Sequence, residues 1–245
     1  VLIVLVRIKP ENMGLKPLWT AKEAVARTSS ASTGELPGVT TAEARKTKNL
    51  WCIFLLYFLL GAIIYSVQQT TALYSSTLGY SPQEVARVIQ FLFLANMISQ
   101  IPLGALSDKF SVRKVLPIGL IIFTIGLVLL ITPGITLPRM YVIGAIIGFS
   151  VVLISVMVPI VIREIFGLKD YAGILGLVIG VRTVGIAAGP PLLNLVYDLS
   201  GTYQPAFIAY LGLMVLCIVL AVVGTRRIKT KYEAADAPRK RATVE

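Results

Sequence analysis

Hydrophobic residues are collected into six long runs, each bounded by charged or turn-forming residues. The runs are Leu50–Leu73, Pro82–Leu106, Val115–Thr132, Met140–Ile162, Tyr171–Tyr197 and Ala206–Gly224. A helix rises about 1.5 Å per residue, so roughly 20 apolar residues cross the hydrocarbon core of a bilayer. The pattern therefore predicts an all-α integral membrane protein with six transmembrane helices.

Short polar motifs predict where some helices begin and end. Ser81 is followed by a proline and then by Glu84, which is the pattern of a capping box with proline in the first turn. Thr40 and Glu43 form a second capping box, so a short surface helix is expected before the first span. The Thr-Pro-Gly sequence at residues 132–134 predicts the end of the third span.

Composition agrees with a membrane protein and excludes several classes of site. Hydrophobic residues make up 56% of the 245 residues and charged residues 14%, against about 25% charged in soluble domains. There is no histidine, and the two cysteines, Cys52 and Cys217, lie inside apolar runs. Histidine proton relays, zinc sites and disulfide frameworks are therefore excluded, and no metal or cofactor is expected.

The net charge of +11 is distributed unevenly among the connectors. Residues 7–49, 107–114, 163–170 and 225 onward hold 20 of the 23 basic residues, whereas the opposite connectors hold only Arg139. Positively charged loops stay in the cytoplasm, so we expect a multi-pass plasma-membrane protein with a cytoplasmic C-terminus. Membrane topology accounts for the charge without a nucleic-acid partner.

These patterns divide the chain into four parts. Residues 1–6 are apolar, too few to cross a bilayer and followed by Arg7, so they are expected to end a truncated preceding span. Residues 7–49 are interpreted as a cytoplasmic linker between two membrane halves, 50–224 as a six-helix transmembrane half-bundle, and 225–245 as a cytoplasmic basic tail.

The connector after the second span carries a family motif. Residues 104–114 read GALSDKFSVRK, which resembles the signature loop G-x-L-[AS]-D-[RK]-x-G-[RK]-[RK] of the major facilitator superfamily. Ser111 replaces the usual glycine and Val112 a usual basic residue. The resemblance implies a conformational latch in which Asp108 acts on a neighbouring helix N-terminus; the alternative is charge that only sets topology. The latch residues would be Gly104, Asp108, Lys109, Arg113 and Lys114.

Three further stretches resemble the oxalate/formate antiporter and monocarboxylate porter branch of that superfamily. They are Arg7–Pro17, Arg163–Gly167 and Tyr197–Tyr203. By this resemblance the six spans correspond to helices seven to twelve, the C-terminal half of a twelve-helix bundle whose central cavity opens alternately to each side. The implied partners are the missing N-terminal six-helix half, the lipid bilayer and a small organic anion.

Arg182 is the most informative single residue. It lies 12 residues after Asp170 and 16 before Asp198, about 18 Å and 24 Å from the two ends of its span. No carboxylate of the six spans lies at comparable depth, and a guanidinium binds a carboxylate bidentately. Arg182 is therefore predicted to anchor an anionic substrate; the alternative is a structural or proton-coupling pair with an acid of the missing half. In the branch it resembles, helix eleven carries a basic residue at this point.

Amide and tyrosine side chains form the rest of the predicted substrate site. Asn96 and Gln100 share one face of the second span, and Tyr65, Gln68 and Gln69 cluster in the first. A water-filled cavity would satisfy these groups; helix-to-helix hydrogen bonds are the alternative. Gln100 stands where the branch often has arginine, which disfavours a dianion such as oxalate and favours a monocarboxylate or a polar neutral substrate.

Glycine and proline residues predict packing surfaces and a flexible point. Two small-xxx-small pairs, Gly144 with Gly148 and Gly176 with Gly180, are expected to pack closely against other helices. A hinge or a tolerated kink just beyond Arg182 is expected from Gly185, Gly189, Pro190 and Pro191.

Together the residues predict a secondary active transporter of a small organic anion, a monocarboxylate in the favoured case, that works by alternating access. No P-loop, metal constellation or nucleophile–base pair is evident, so the protein is not expected to be an enzyme. The alternatives are an exporter of drug-like or neutral solutes and a non-transporting receptor or scaffold on the same fold.

Overall fold

A computed structural model describes residues 38–225, with the exception of the side chains of residues 107–109. Its helices are α1 (Thr41–Arg45), α2 (Lys48–Thr77), α3 (Pro82–Lys109), α4 (Val112–Ile131), α5 (Leu137–Ser155), α6 (Met157–Phe166), α7 (Tyr171–Ser200) and α8 (Gln204–Gly224). Within residues 38–225, six stretches are long and apolar enough to cross a membrane, with α5 and α6 forming one of them. The predicted all-α fold with six spans is confirmed. The predicted preceding span, most of the linker and the basic tail lie outside the described residues.

The predicted helix ends are confirmed where polar residues cap them. In both capping boxes, Thr40 with Glu43 and Ser81 with Glu84, the hydroxyl accepts from the backbone N–H of the glutamate and the carboxylate accepts from the backbone N–H of the capping residue. Helix α4 ends at Ile131, just before the Thr-Pro-Gly sequence. Other helices are longer than the predicted apolar runs, because the polar residues that follow a run continue the helical backbone hydrogen bonds. Helix α2, for example, extends beyond the predicted end at Leu73 to Thr77.

Two pairs of helices form the main contacts of the bundle. Helix α2 packs along α7, and α3 packs along α5, while α4 and α8 pack against each other. In the α2–α7 pair, Phe58 lies against Gly185 and Ala62 against Gly189, so the two helices run in the same direction. Helices α3 and α4 follow each other in the chain but make few direct contacts.

Glycines allow these close approaches, as predicted for one pair of them. A Cβ at Gly144 would lie 3.1 Å from the carbonyl oxygen of Val88, and one at Gly148 would overlap the backbone of Leu92. The predicted packing surface on α5 is therefore confirmed, and its partner is α3.

The same prediction is wrong for the other pair within the part of the chain that the structure describes. Nothing lies within 4 Å of a Cβ built at Gly176 or Gly180. The glycines of α7 that do pack are Gly185 and Gly189, whose Cβ atoms would overlap backbone atoms of α2. Gly61 completes this contact from the α2 side, because its Cβ would lie 2.7 Å from the carbonyl oxygen of Arg182.

The fourth span is interrupted after its first 19 residues. Its first part, α5, ends at Ser155, and α6 begins at Met157. Pro159 explains the interruption, because proline lacks the N–H that would bond to the carbonyl of residue 155 and its ring crowds that carbonyl. The hydropathy of Leu137–Phe166 is continuous across the break, so the apolar pattern alone did not reveal it.

Candidate functional site

Arg182 lies on α7, where its backbone carbonyl oxygen approaches Gly61 of α2. Its side chain is half-buried, and one terminal nitrogen, Nη1, donates a hydrogen bond to the carbonyl oxygen of Ile154. Its Nε is buried and has no partner in the described part of the chain. Among the described residues, no carboxylate forms an ion pair with Arg182. The guanidinium is therefore held from one side by backbone and retains unused hydrogen-bond donors.

The acceptor of that hydrogen bond lies at the interruption of the fourth span. Ile154 is the second-last residue of α5, five residues before Pro159. Carbonyl groups at such a break can accept from side chains of a neighbouring helix. The guanidinium is therefore held at the level of the break. Sequence reasoning missed this partner, although Pro159 within an apolar run was the available signal.

Tyr57 is a second polar group at this depth that the sequence analysis did not single out. Its side chain is fully buried, its hydroxyl has no hydrogen-bond partner in the described residues, and it interacts electrostatically with Arg182. An unsatisfied buried hydroxyl costs about 1–3 kcal/mol. Two unsatisfied groups thus lie close together in the centre of the bundle.

Asn96 and Gln100 contact each other as their spacing predicted. The Gln100 side chain donates to Asn96 Oδ1 at 3.3 Å, and Asn96 Nδ2 donates to the carbonyl oxygen of Gly148 at 3.1 Å. Asn96 is half-buried and Gln100 is exposed. The Asn96 amide thus joins α3 to α5 through a hydrogen bond, whereas Gln100 is accessible on the surface of α3.

The predicted residues of α2 share one face of that helix, but they differ in exposure. Tyr65 and Gln68 are half-buried, whereas Gln69 is exposed. The Oε1 atom of Gln68 is buried and lacks a partner among the described residues. In this part of the chain no hydrogen bond joins these three side chains to Asn96 or Arg182, so the structure does not assemble the six predicted residues into one network.

The predicted hinge lies within an uninterrupted helix. Helix α7 continues through Pro190 and Pro191 to Ser200, while Gly185 and Gly189 pack against α2. The glycines therefore serve close packing in this conformation, and a hinge at this point stays a prediction.

The predicted latch is described only in part. A Cβ at Gly104 would meet nothing within 4 Å, and the side chains of Asp108 and Lys109 lie outside the described set. The Nε of Arg113 donates to the carbonyl oxygen of Thr225 at 2.8 Å, which links the start of α4 to the end of α8. Lys114 is exposed.

Glu164 caps the N-terminus of α4, and the predicted role of Asp108 stays a prediction. Its carboxylate accepts hydrogen bonds from the Ser111 hydroxyl and, at 3.0 Å, from the backbone N–H of Val112. A negative charge at this position stabilises the positive end of the α4 dipole. Because α6 carries Glu164, the contact joins the fourth span to the start of the third.

Asp170 makes a similar contact with the segment before the first span. Its carboxylate accepts from the backbone N–H of Thr41 at 2.9 Å and from the Thr41 hydroxyl. These hydrogen bonds hold the pKa of Asp170 below its usual range. The backbone N–H of Val39 adds a bond to the carbonyl oxygen of Phe166 at 2.9 Å. These hydrogen bonds hold residues 38–45, which form the C-terminal end of the predicted linker, against the loop before α7.

The geometry defines a helical membrane protein with a half-buried arginine and polar side chains at mid-span. The model of the Major Facilitator Superfamily matches residues 88–244. The chain belongs to this superfamily of transporters, whose members are generally not enzymes.

Curated relatives agree with this assignment and include named monocarboxylate transporters. An uncharacterized MFS-type transporter, C18.02, from Schizosaccharomyces pombe is 27% identical over 167 residues, covering 66% of this chain and 37% of that protein. Monocarboxylate transporter 12 from Xenopus laevis is 24% identical over 154 residues, covering 60% and 33%. Monocarboxylate transporter 10 from Mus musculus is 29% identical over 135 residues, covering 50% and 25%. The chain thus aligns with between a quarter and just over a third of each relative.

Proposed function

We propose that the chain forms part of a secondary transporter that moves a small monocarboxylate across the plasma membrane by alternating access, with Arg182 binding the carboxylate. The observation that carries the proposal is the half-buried guanidinium at mid-span, which is held by the carbonyl of Ile154 and has no acidic partner among the described residues. Such residues usually face a cavity or a substrate path.

Two further observations support a monoanionic substrate. The relatives include proteins named monocarboxylate transporters. Gln100, exposed on α3, stands where the related branch often has a second arginine, so this half supplies one mid-span positive charge from Arg182. A second six-helix half as partner, a cytoplasmic C-terminus and a latch at residues 104–114 belong to the same proposal.

The test is uptake of radiolabelled lactate by the intact protein in proteoliposomes. A hydrogen bond to a charged group contributes about 1.5–3 kcal/mol, so Arg182→Gln is expected to raise the KM by roughly 10- to 150-fold, and Arg182→Lys by less. Arg87→Gln removes the same charge from the exposed surface of α3 and should transport normally. Thermal unfolding of each variant separates loss of binding from loss of folding. An unchanged KM for Arg182→Gln in a folded protein would overturn the proposal.

Competition separates the monocarboxylate hypothesis from its alternatives. Acetate and lactate should compete for uptake, whereas oxalate and a lipophilic cation should not. Inhibition by the cation would instead favour a drug exporter. Binding of lactate without any counterflow would favour a receptor on the same fold.

A further inference from the structure

An apolar groove opens between α3 and α4 at the end of the bundle that carries the basic connectors. It has a volume of about 340 Å³. Leu103 and Phe110 line the α3 side, Ile118 and Ile122 line the α4 side, and Phe149 of α5 closes the base. The groove exists because α3 and α4 make few direct contacts although they are consecutive in the chain.

The groove is open on the outside of the bundle. Phe110, the residue that follows α3, is 45% exposed, and Ile118, within the third span, is 57% exposed. Along α4 the lining runs from Val115 to Ile122, which is roughly 10 Å parallel to the helix. In a bilayer the medium beside these side chains is hydrocarbon, so an acyl chain matches the groove in both polarity and direction.

One end of the groove carries a positive charge. Among the described lining residues, Lys114 is the one that carries a charge, and it is exposed and forms no ion pair with the described residues. Two neighbouring charged residues of the described set are engaged elsewhere, because Arg113 bonds to Thr225 and Glu164 caps the start of α4. A lysine at the membrane edge attracts anionic headgroups and keeps its ammonium group at the level of the phosphates.

We propose that this groove binds one anionic phospholipid, with an acyl chain between α3 and α4 and the headgroup phosphate at Lys114. The apolar walls select an amphiphile over a water-soluble anion, and the lysine selects a net negative headgroup over a zwitterionic one. The bound lipid bridges two helices that otherwise touch little, so it stabilises their present arrangement. The site is separate from Arg182 and does not depend on the substrate.

The test is native mass spectrometry of the intact purified protein, delipidated and then titrated with phosphatidylglycerol or phosphatidylcholine. The native protein should retain one phosphatidylglycerol about fivefold more tightly than phosphatidylcholine. Lys114→Gln should abolish this preference. The matched control, Lys46→Gln, removes an exposed positive charge at the same end of the bundle but away from the groove, and should keep the preference.

A second pair of variants tests the acyl-chain part of the site. Ile118→Trp places a larger side chain in the groove and should weaken retention of both lipids at least about fivefold. Ile125→Trp makes the same change two turns further along α4, at a similarly exposed position outside the groove, and should retain lipid normally. Equal retention of the two lipids by the native protein, or normal retention by Ile118→Trp, would overturn the proposal. The first result would indicate a groove filled by any hydrocarbon, and the second a lipid bound elsewhere.

Discussion

The backbone contact between α2 and α7 makes opposite predictions for two glycines of the same helix. A Cβ at Gly185 would lie 3.0 Å from the carbonyl carbon of Phe58 and closer still to its oxygen, whereas a Cβ at Gly180 would meet nothing within 4 Å. In Gly185→Ala the two helices would therefore have to separate by about 1 Å, and overpacking of this kind typically costs 1–3 kcal/mol. Alanine at Gly180 adds no clash and gains up to about 1 kcal/mol of helix propensity.

Thermal unfolding of the intact protein in detergent measures both effects. With about 2–4 °C of Tm per kcal/mol for a chain of this size, Gly185→Ala should lower the Tm by roughly 2–12 °C, and Gly180→Ala should raise it by up to about 4 °C. The two variants share residue type, helix and substitution, so they serve as each other's control. Equal Tm values for both would show that α2 and α7 do not approach as closely as described.

Three further predictions concern polar groups of the bundle. The pKa of Asp170 is lowered from its ordinary value of 3.8 because the carboxylate accepts hydrogen bonds from Thr41. Its ionised form therefore stabilises the contact with residues 38–45 fully above pH 3.8. This stabilisation is lost as the pH falls below 3.8 towards the lowered pKa and the carboxylate is protonated. Proteolysis of this segment should therefore increase below about pH 4 in the native protein, and in Asp170→Asn it should be fast at every pH. Glu164→Gln keeps the shape of the α4 cap but removes its charge, so the Tm should fall by an amount equivalent to about 0.3–1 kcal/mol; an unchanged Tm would show that the charge contributes nothing. Tyr57→Phe removes a buried hydroxyl without a described partner and should leave the Tm unchanged or raise it, whereas a fall would show that the hydroxyl is bonded in the folded protein.

The spans and their caps could be predicted because they depend on local sequence. Runs of apolar residues determine which segments enter a bilayer, and the boxes at Thr40 and Ser81 involve residues three positions apart. The contacts of the site depend on residues distant in sequence. Arg182 bonds to the backbone of residue 154, and Glu164 to that of residue 112. A carbonyl or N–H group carries no sequence signal of its own, so these partners could be found only in the folded chain.

The glycines of α7 show why spacing alone could not identify the packed face. Gly176 with Gly180 and Gly185 with Gly189 have the same four-residue spacing, yet the pairs are nine residues apart. At about 100° per residue the second pair lies roughly half a turn around the helix from the first, so one pair can pack against α2 while the other cannot. Arg182 is three residues before Gly185 and thus about 60° from it, at the edge of the packed face.

This position accounts for the environment of the arginine. At the edge of the packed face, the Arg182 backbone approaches α2 closely at Gly61, while its side chain passes beside α2 to reach the carbonyl at the break in the fourth span. Gly176 and Gly180 lie on the opposite face, which is open in the described residues. One face of α7 is thus covered by α2, and the opposite face is uncovered in the described residues. The guanidinium of Arg182 lies between the two faces. Under the proposed function, this edge leaves the guanidinium accessible to a substrate at mid-span, whereas a residue inside the packed face would be covered by α2.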